Sequence, residues 1–208
     1  MATSRKPCRL QAQSKQAYSY LLQVELEDIT PTIWRQVWVD SGMSLHTLHH
    51  VLQAAMGWTD AHLHEFSINR KRYALPDPED DPKRLPVDER KVPLGQISEP
   101  GLEFKYLYDY GDSWTHVIRV EEVNPITEPA GCKPYGVAFV DAGQGACPPE
   151  DSGGAPGYQD SLDLLREDPE SEDAQSFLQW AGEDFDPGRF DRHAANAALQ
   201  RMAWNRWG

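Results

Sequence analysis

The chain has 208 residues, of which 39% are apolar and 25% charged, with a formal net charge of −13. This suits a soluble globular protein with one sizeable core, and no apolar run is long enough to cross a bilayer. The acidity repels phosphate backbones, and no basic patch offsets it, so nucleic acid is not the expected partner.

Four cations and no acid fall in the first fifteen residues (Arg5, Lys6, Arg9 and Lys15), a stretch without an apolar core like that of a secretory signal. Residues 1–17 are therefore expected to be a disordered basic tail, followed by a single domain over 18–208. Cys8, Cys132 and Cys147 form no CxxC pair. Without an export signal they are expected to be reduced thiols in the cytoplasm.

YSYLLQVEL (18–26) alternates apolar and polar residues and predicts a strand with one wet face. IWRQVWV (33–39) predicts its hairpin partner. Ser44 can cap a helix over 45–56, with Leu45, Leu48, Leu52, Ala55 and Met56 on one arc and Gly57 as the stop. HLHEFSI (62–68) predicts a third strand and RYAL (72–75) its short return. Residues 76–100, rich in proline and charge, predict a long surface loop. LEFKYLYDY (102–110) and SWTHVIRVEEV (113–123) flank Gly111 and predict a hairpin. Residues 124–157 predict a second long loop. SLDLLRED (161–168) and SEDAQSFLQWAG (171–182) predict two short amphipathic helices, and Asp186-Pro187 opens a last one. The order β-β-α-β-β, a further hairpin, then a helical C-terminal third, is that of an α+β domain with a mixed or antiparallel sheet.

Five of the chain's 7 histidines lie between His46 and His64. In a strand, His62 and His64 would share one face and could converge on a divalent ion if further ligands arrived. Phe66 and Ile68 share that face, so the pair could equally sit at the edge of the core. His49 falls in the helix's buried arc and needs a carboxylate or carbonyl partner for its ring, or shares a pocket with His62 and His64 if the helix packs over that strand. His46 sits at the border, and His50 on the wet side. YDYGDSWTH adds Asp109, Asp112 and His116; the aspartates can satisfy turn amides or supply ligands. CPPEDSGGAPGY (147–158) places Glu150 and Asp151 side by side in a stiff, glycine-rich loop that could position groups at a site or simply shape a connector.

The segments PTIWRQVWV (31–39), LHTLHHVLQAAMGWTDAHLHEF (45–66), FKYLYDYGDSWTHVI (104–118), CPPEDSGGAPGY (147–158) and FDPGRFD (185–191) together resemble the plasmid pRiA4b ORF-three-like family of bacterial proteins. The resemblance implies the family's fold and, for some members, a place as passengers in mobile elements, but no reaction. Some relatives carry a resolvase label. No serine-recombinase pattern and no basic arm accompany the resemblance here.

Two function classes follow. The first is a binding or accessory module, with mobile elements as its setting and a protein as its partner, in which these polar residues organise the fold. The second is a metal-assisted hydrolase. There His62, His64, His116 and Asp109 would hold a divalent ion, zinc or manganese, and Glu150 or Asp151 would act as general base on a bound water. A nucleic-acid-binding accessory protein is a third reading, which the net charge disfavours. The hydrolase requires those six side chains to share one hollow.

Overall fold

Alternation sets the first two strands. In the computed structural model, which describes residues 17–77, 81–126, 138–182 and 184–205, β1 (Tyr18–Leu26) buries Tyr20, Leu22, Val24 and Leu26. β2 (Trp34–Asp40) turns Arg35, Val37 and Val39 inward and leaves Trp34 and Trp38 half-buried on its other face. Helix α1 (Leu45–Met56) begins where Ser44 Oγ accepts the Thr47 amide and ends at Gly57, whose φ of 120° suits glycine. The tail and Cys8 and Cys132 lie outside the described residues.

The hairpins predicted downstream form β3 (His64–Ile68) with β4 (Lys71–Ala74), and β6 (Glu103–Tyr108) with β7 (Trp114–Pro125). β3 pairs with β6, and β7 pairs with β1, so two meanders join into one sheet. Among the described residues its eight strands, with β5 (Val87–Asp88) and β8 (Ala138–Gln144) at the edges, run in the order β5-β4-β3-β6-β7-β1-β2-β8. All neighbours are antiparallel except β4 and β5 (Val87–Asp88), which makes the sheet mixed. The C-terminal part is helical, with α2 (Gly154–Glu167), α3 (Glu172–Ala181) and α4 (Arg192–Asn205), so the architecture is α+β.

Five elements differ from the sequence reading, the simplest being α2, which starts at Gly154, seven residues before the predicted helix over 161–168. The third strand starts at His64, because the chain bends at His62 before the ladder with Tyr108 begins. The stretch 76–100 is not all surface loop. It contributes β5 and two 3-10 turns, Glu89–Lys91 and Leu94–Gln96, and it buries Glu89 and Leu94 completely. The stretch 124–157 contains β8 (Ala138–Gln144), an edge strand on β2; Ala138 and Val140 face the core there, but charge and glycine hide the alternation. The last helix starts at Arg192, where Asp191 Oδ1 accepts the Ala194 amide, five residues beyond Pro187.

Edges are managed by side chains. Asn196 of α4 donates to the Val140 carbonyl and accepts its amide, both at 2.9 Å, so part of β8's open edge is paired by an amide. Arg35 is fully buried in β2 and its partners are backbone carbonyls: Ala55 at the end of α1, Trp34, Gln144 and Gly145. The Phe190 ring covers its guanidinium at 3.7 Å. Burial lowers the Arg35 pKa to about 10, still a full cation at neutral pH. One charge thus joins β2, the end of β8 and the end of α1. Among the described residues no helix is long and apolar enough to cross a membrane.

Candidate functional site

Two polar clusters flank the segment between α1 and β3. The first is a rim where three loops meet. At the β6–β7 turn Asp109 takes a left-handed backbone (φ 58°), and its Oδ1 accepts the Gly111 amide at 2.8 Å, leaving Oδ2 to face His62. Asp112 reaches further and accepts the Gly153 amide, which ties the turn to the start of α2. The PPED loop is fixed at both ends. The Pro148 carbonyl accepts the Trp58 indole N–H at 3.0 Å, and Ser152 Oγ donates to the Pro149 carbonyl. Gly154 (φ 67°) packs so closely on the Asp112 carbonyl that a Cβ there would collide with backbone.

This framework presents three carboxylates to one imidazole. His62 Nδ1 is 3.7 Å from Asp109 Oδ2, and its Nε2 is 3.8 Å from Glu150 Oε2 and 3.5 Å from Asp151 Oδ1. Those separations exceed a strong hydrogen bond and are a few tenths of an ångström longer than the edge between two ligands of one ion, since bonds of about 2.1 Å give edges of roughly 3.0 to 3.4 Å. One atom each from His62, Asp109 and Asp151 lies within 4.8 Å of the others. Glu150 is held, its Oε1 accepting from the Thr59 amide, the Thr59 hydroxyl and the Tyr108 hydroxyl at 3.0–3.1 Å. Burial, then the Glu150 charge, pushes the Tyr108 pKa up, so the phenol stays a donor. Asp151, also left-handed (φ 56°), has a side chain 76% exposed and is the freest acid of the set.

Four of the six predicted site residues therefore come together: His62, Asp109, Glu150 and Asp151. His64 and His116 do not join them. The bend at His62 breaks the strand periodicity assumed for the HLH pair, and His64 turns instead to Glu89, with Nε2 3.0 Å from both carboxylate oxygens. His116 is fully buried beneath Trp58 and Tyr106. Its Nδ1 reaches the Tyr106 carbonyl at 3.3 Å, and its Nε2 has no protein partner. Burial lowers its pKa to about 4, so it is a neutral core ring.

The second cluster was not assembled from the sequence. It gathers His46, His49 and His50 of α1, His64 of β3, Asp60, and Glu89 from the segment read as surface loop. Glu89 Oε1 accepts from His46 Nδ1 at 2.8 Å as well as from His64. Burial pushes Glu89 up, but His64 and then His46 outweigh it and hold the carboxyl below its ordinary range. His49 stacks flat on His64, ring centres 3.4 Å apart, with Asp60 Oδ1 2.7 Å from its Nε2 and the Tyr106 hydroxyl 2.7 Å from its Nδ1. Burial first, then the neighbouring histidines, lowers the His49 pKa to about 2. The i, i+4 spacing of His46 and His50 was visible in the sequence; the carboxylates behind them were not.

The sequence model of the plasmid pRiA4b ORF-3-like protein family matches residues 18–194. A protein of Sinorhizobium fredii called "Uncharacterized protein y4hQ" is 38% identical over 185 residues, 88% of this chain and 91% of that one. A crystal structure of a protein of unknown function, MM3350 from Methanosarcina mazei Go1, superposes with a TM-score of 0.73 at 33% identity, covering 86% of this chain and 98% of that one.

Proposed function

The chain belongs to the plasmid pRiA4b ORF-3-like family, and we propose that it is a divalent-cation-binding accessory module of the bacterial cytoplasm whose ion sits on the rim formed by His62, Asp109 and Asp151. The family description names a plasmid reading frame, which supports a place among mobile-element accessory proteins. One observation carries the cation: one donor atom each from His62, Asp109 and Asp151 lies within 4.8 Å of the others. Packed together without a cation, those acids would repel one another. A donor set richer in carboxylate than imidazole favours manganese over softer ions.

Glu150 acts as a positioning group. Its oxygens are occupied by Thr59 and Tyr108, which hold the PPED loop against the rim. A hydrolytic reading would instead leave Asp151 off the ion as the general base, a role its exposure favours. A carboxylate with free lone pairs beside an ion with open positions can take a proton from bound water.

Manganese titration of the full chain, purified without a polyhistidine tag, tests the reading. The wild type takes up one equivalent at the rim, and H62A or D109N weakens binding by about tenfold or more. Unchanged manganese affinity in both variants would overturn it.

A further inference from the structure

In the second cluster, carboxylates stand behind a pair of imidazoles. Asp60's amide donates to Gln53 Oε1 at 3.1 Å, which fixes Gln53 Nε2 as the donor to the Tyr106 hydroxyl at 3.0 Å. Tyr106 then gives its own proton to His49 Nδ1, and His49 Nε2–H donates to Asp60 Oδ1. His64 Nε2–H donates to Glu89. These bonds position two carboxylates and need nothing more.

Between those carboxylates stand His46 and His50, one turn apart on α1. His46 Nδ1 is 2.8 Å from Glu89 Oε1, the two Nε2 atoms are 3.3 Å apart, and His50 Nδ1 is 3.3 Å from Asp60 Oδ2. His50 Nδ1 meets Asp60 as a charge contact without hydrogen-bond alignment. When each ring carries its proton on the Nδ1 that faces a carboxylate, both Nε2 lone pairs face the 3.3 Å gap between them, where a cation would join the rings.

We infer that His46 and His50 form a second metal site, distinct from the rim, that takes zinc or a similar borderline divalent ion between their Nε2 atoms, with Glu89 and Asp60 orienting the two rings. Each ring would then turn Nδ1–H toward its own carboxylate and offer Nε2 to the ion. This is the carboxylate–histidine–metal arrangement that fixes the tautomer and raises ligand basicity. The 3.3 Å gap equals the edge of a tetrahedral shell, since Zn–N bonds of about 2.0–2.1 Å give roughly 3.3–3.4 Å. Two histidines at i and i+4 are the usual helical presentation of such a pair. The rings are 24% and 25% exposed, so the remaining positions of the ion face solvent, open to water or to an oxygen or nitrogen donor. An all-imidazole pair selects zinc, nickel or cobalt over manganese, the opposite preference to the rim.

Zinc competition against a chromophoric chelator, on the tag-free full chain, tests this. The wild type is expected to bind one equivalent of zinc tightly enough to compete, H50A to lose at least about tenfold, and H62A to retain it. Nitrogen-15 spectra of the wild-type imidazoles provide a readout independent of mutant folding: one equivalent of zinc should shift the Nε2 resonances of His46 and His50 and leave both Nδ1 protonated. Zinc affinity unchanged in H50A, affinity lost in H62A instead, or unmoved His46 and His50 resonances would each overturn the site. Loss of manganese binding at the rim, with zinc still on the pair, would sink only the rim.

Discussion

His116→Phe isolates a buried histidine whose neutrality can be read as a pH-dependent stability. In the folded chain the ring is fully enclosed, and burial lowers its pKa from the ordinary 6.5 to about 4. In the unfolded chain it titrates near the ordinary value, so between these two values the unfolded state binds more protons than the folded one. Stability is therefore lost as pH falls below the unfolded value, and the loss levels off near the folded value. At pH 4.5, two units below 6.5, a cost of about 1.36 kcal/mol per unit, reduced slightly by protonation of the folded ring, comes to about 2.5 kcal/mol. Phenylalanine keeps an aromatic ring against Trp58 and Tyr106 and removes the proton; it also relieves Nε2 of its unmet bond. Urea unfolding of wild type and variant at pH 7.5 and pH 4.5 gives two stability differences. Steric effects of the substitution and the other histidines cancel when one difference is subtracted from the other. The variant should gain on the wild type by about 2.5 kcal/mol on going to the lower pH. A difference that does not change with pH would show that His116 titrates normally and that its burial does not keep it neutral.

Arg35→Lys should destabilise the chain by about 2–4 kcal/mol in the same urea assay, because an ammonium cannot reach four carbonyls in separate directions and leaves buried acceptors unmet; a loss under about 0.5 kcal/mol would mean that the guanidinium bonds contribute little. Gly154→Ala should cost about 2 kcal/mol or more through both its positive φ and the collision with the Asp112 backbone, and it should loosen the PPED loop so that manganese affinity falls with it; stability equal to wild type would contradict the close approach.

Residues with strong period carry most of what the sequence disclosed. β1, α1 and the β6–β7 hairpin have an alternating or helical pattern, a cap or a turn glycine, and they lie where these signals place them. β8 was not legible, because Asp141, Gly143 and Gln144 mask its alternation and its edge is satisfied by Asn196, fifty-odd residues away. Glu89 was not legible either. A buried carboxylate in a charged, proline-rich stretch has no local signature, since His46 and His64, which hold it, come from a helix and a strand well upstream. The rim was partly legible for the opposite reason. Asp109 and the Glu150–Asp151 pair sit in turn sequences whose glycines announce sharp geometry, whereas the placement of His64 depended on whether the strand began two residues sooner.

The short run from Thr59 to His64 serves both clusters, and its backbone shows the cost. Thr59 holds Glu150, Asp60 receives His49 and faces His50, His62 faces the rim acids, and His64 secures Glu89. Consecutive even residues would share a face in a strand; here they serve opposite clusters because Asp60 adopts φ 62° and the chain bends at His62. Asp109 and Asp151 are left-handed as well, so three of the acids pointed at candidate ligand positions sit in a conformation that disfavours side chains by about 1 kcal/mol each. Asn69 and Arg70, with the same backbone sign, make the tight β3–β4 turn, and the hairpin accounts for them. Hairpin geometry does not account for Asp60 or Asp151. Left-handed geometry there aims carboxylates at imidazoles, at an expense that a sheet closing without it does not require.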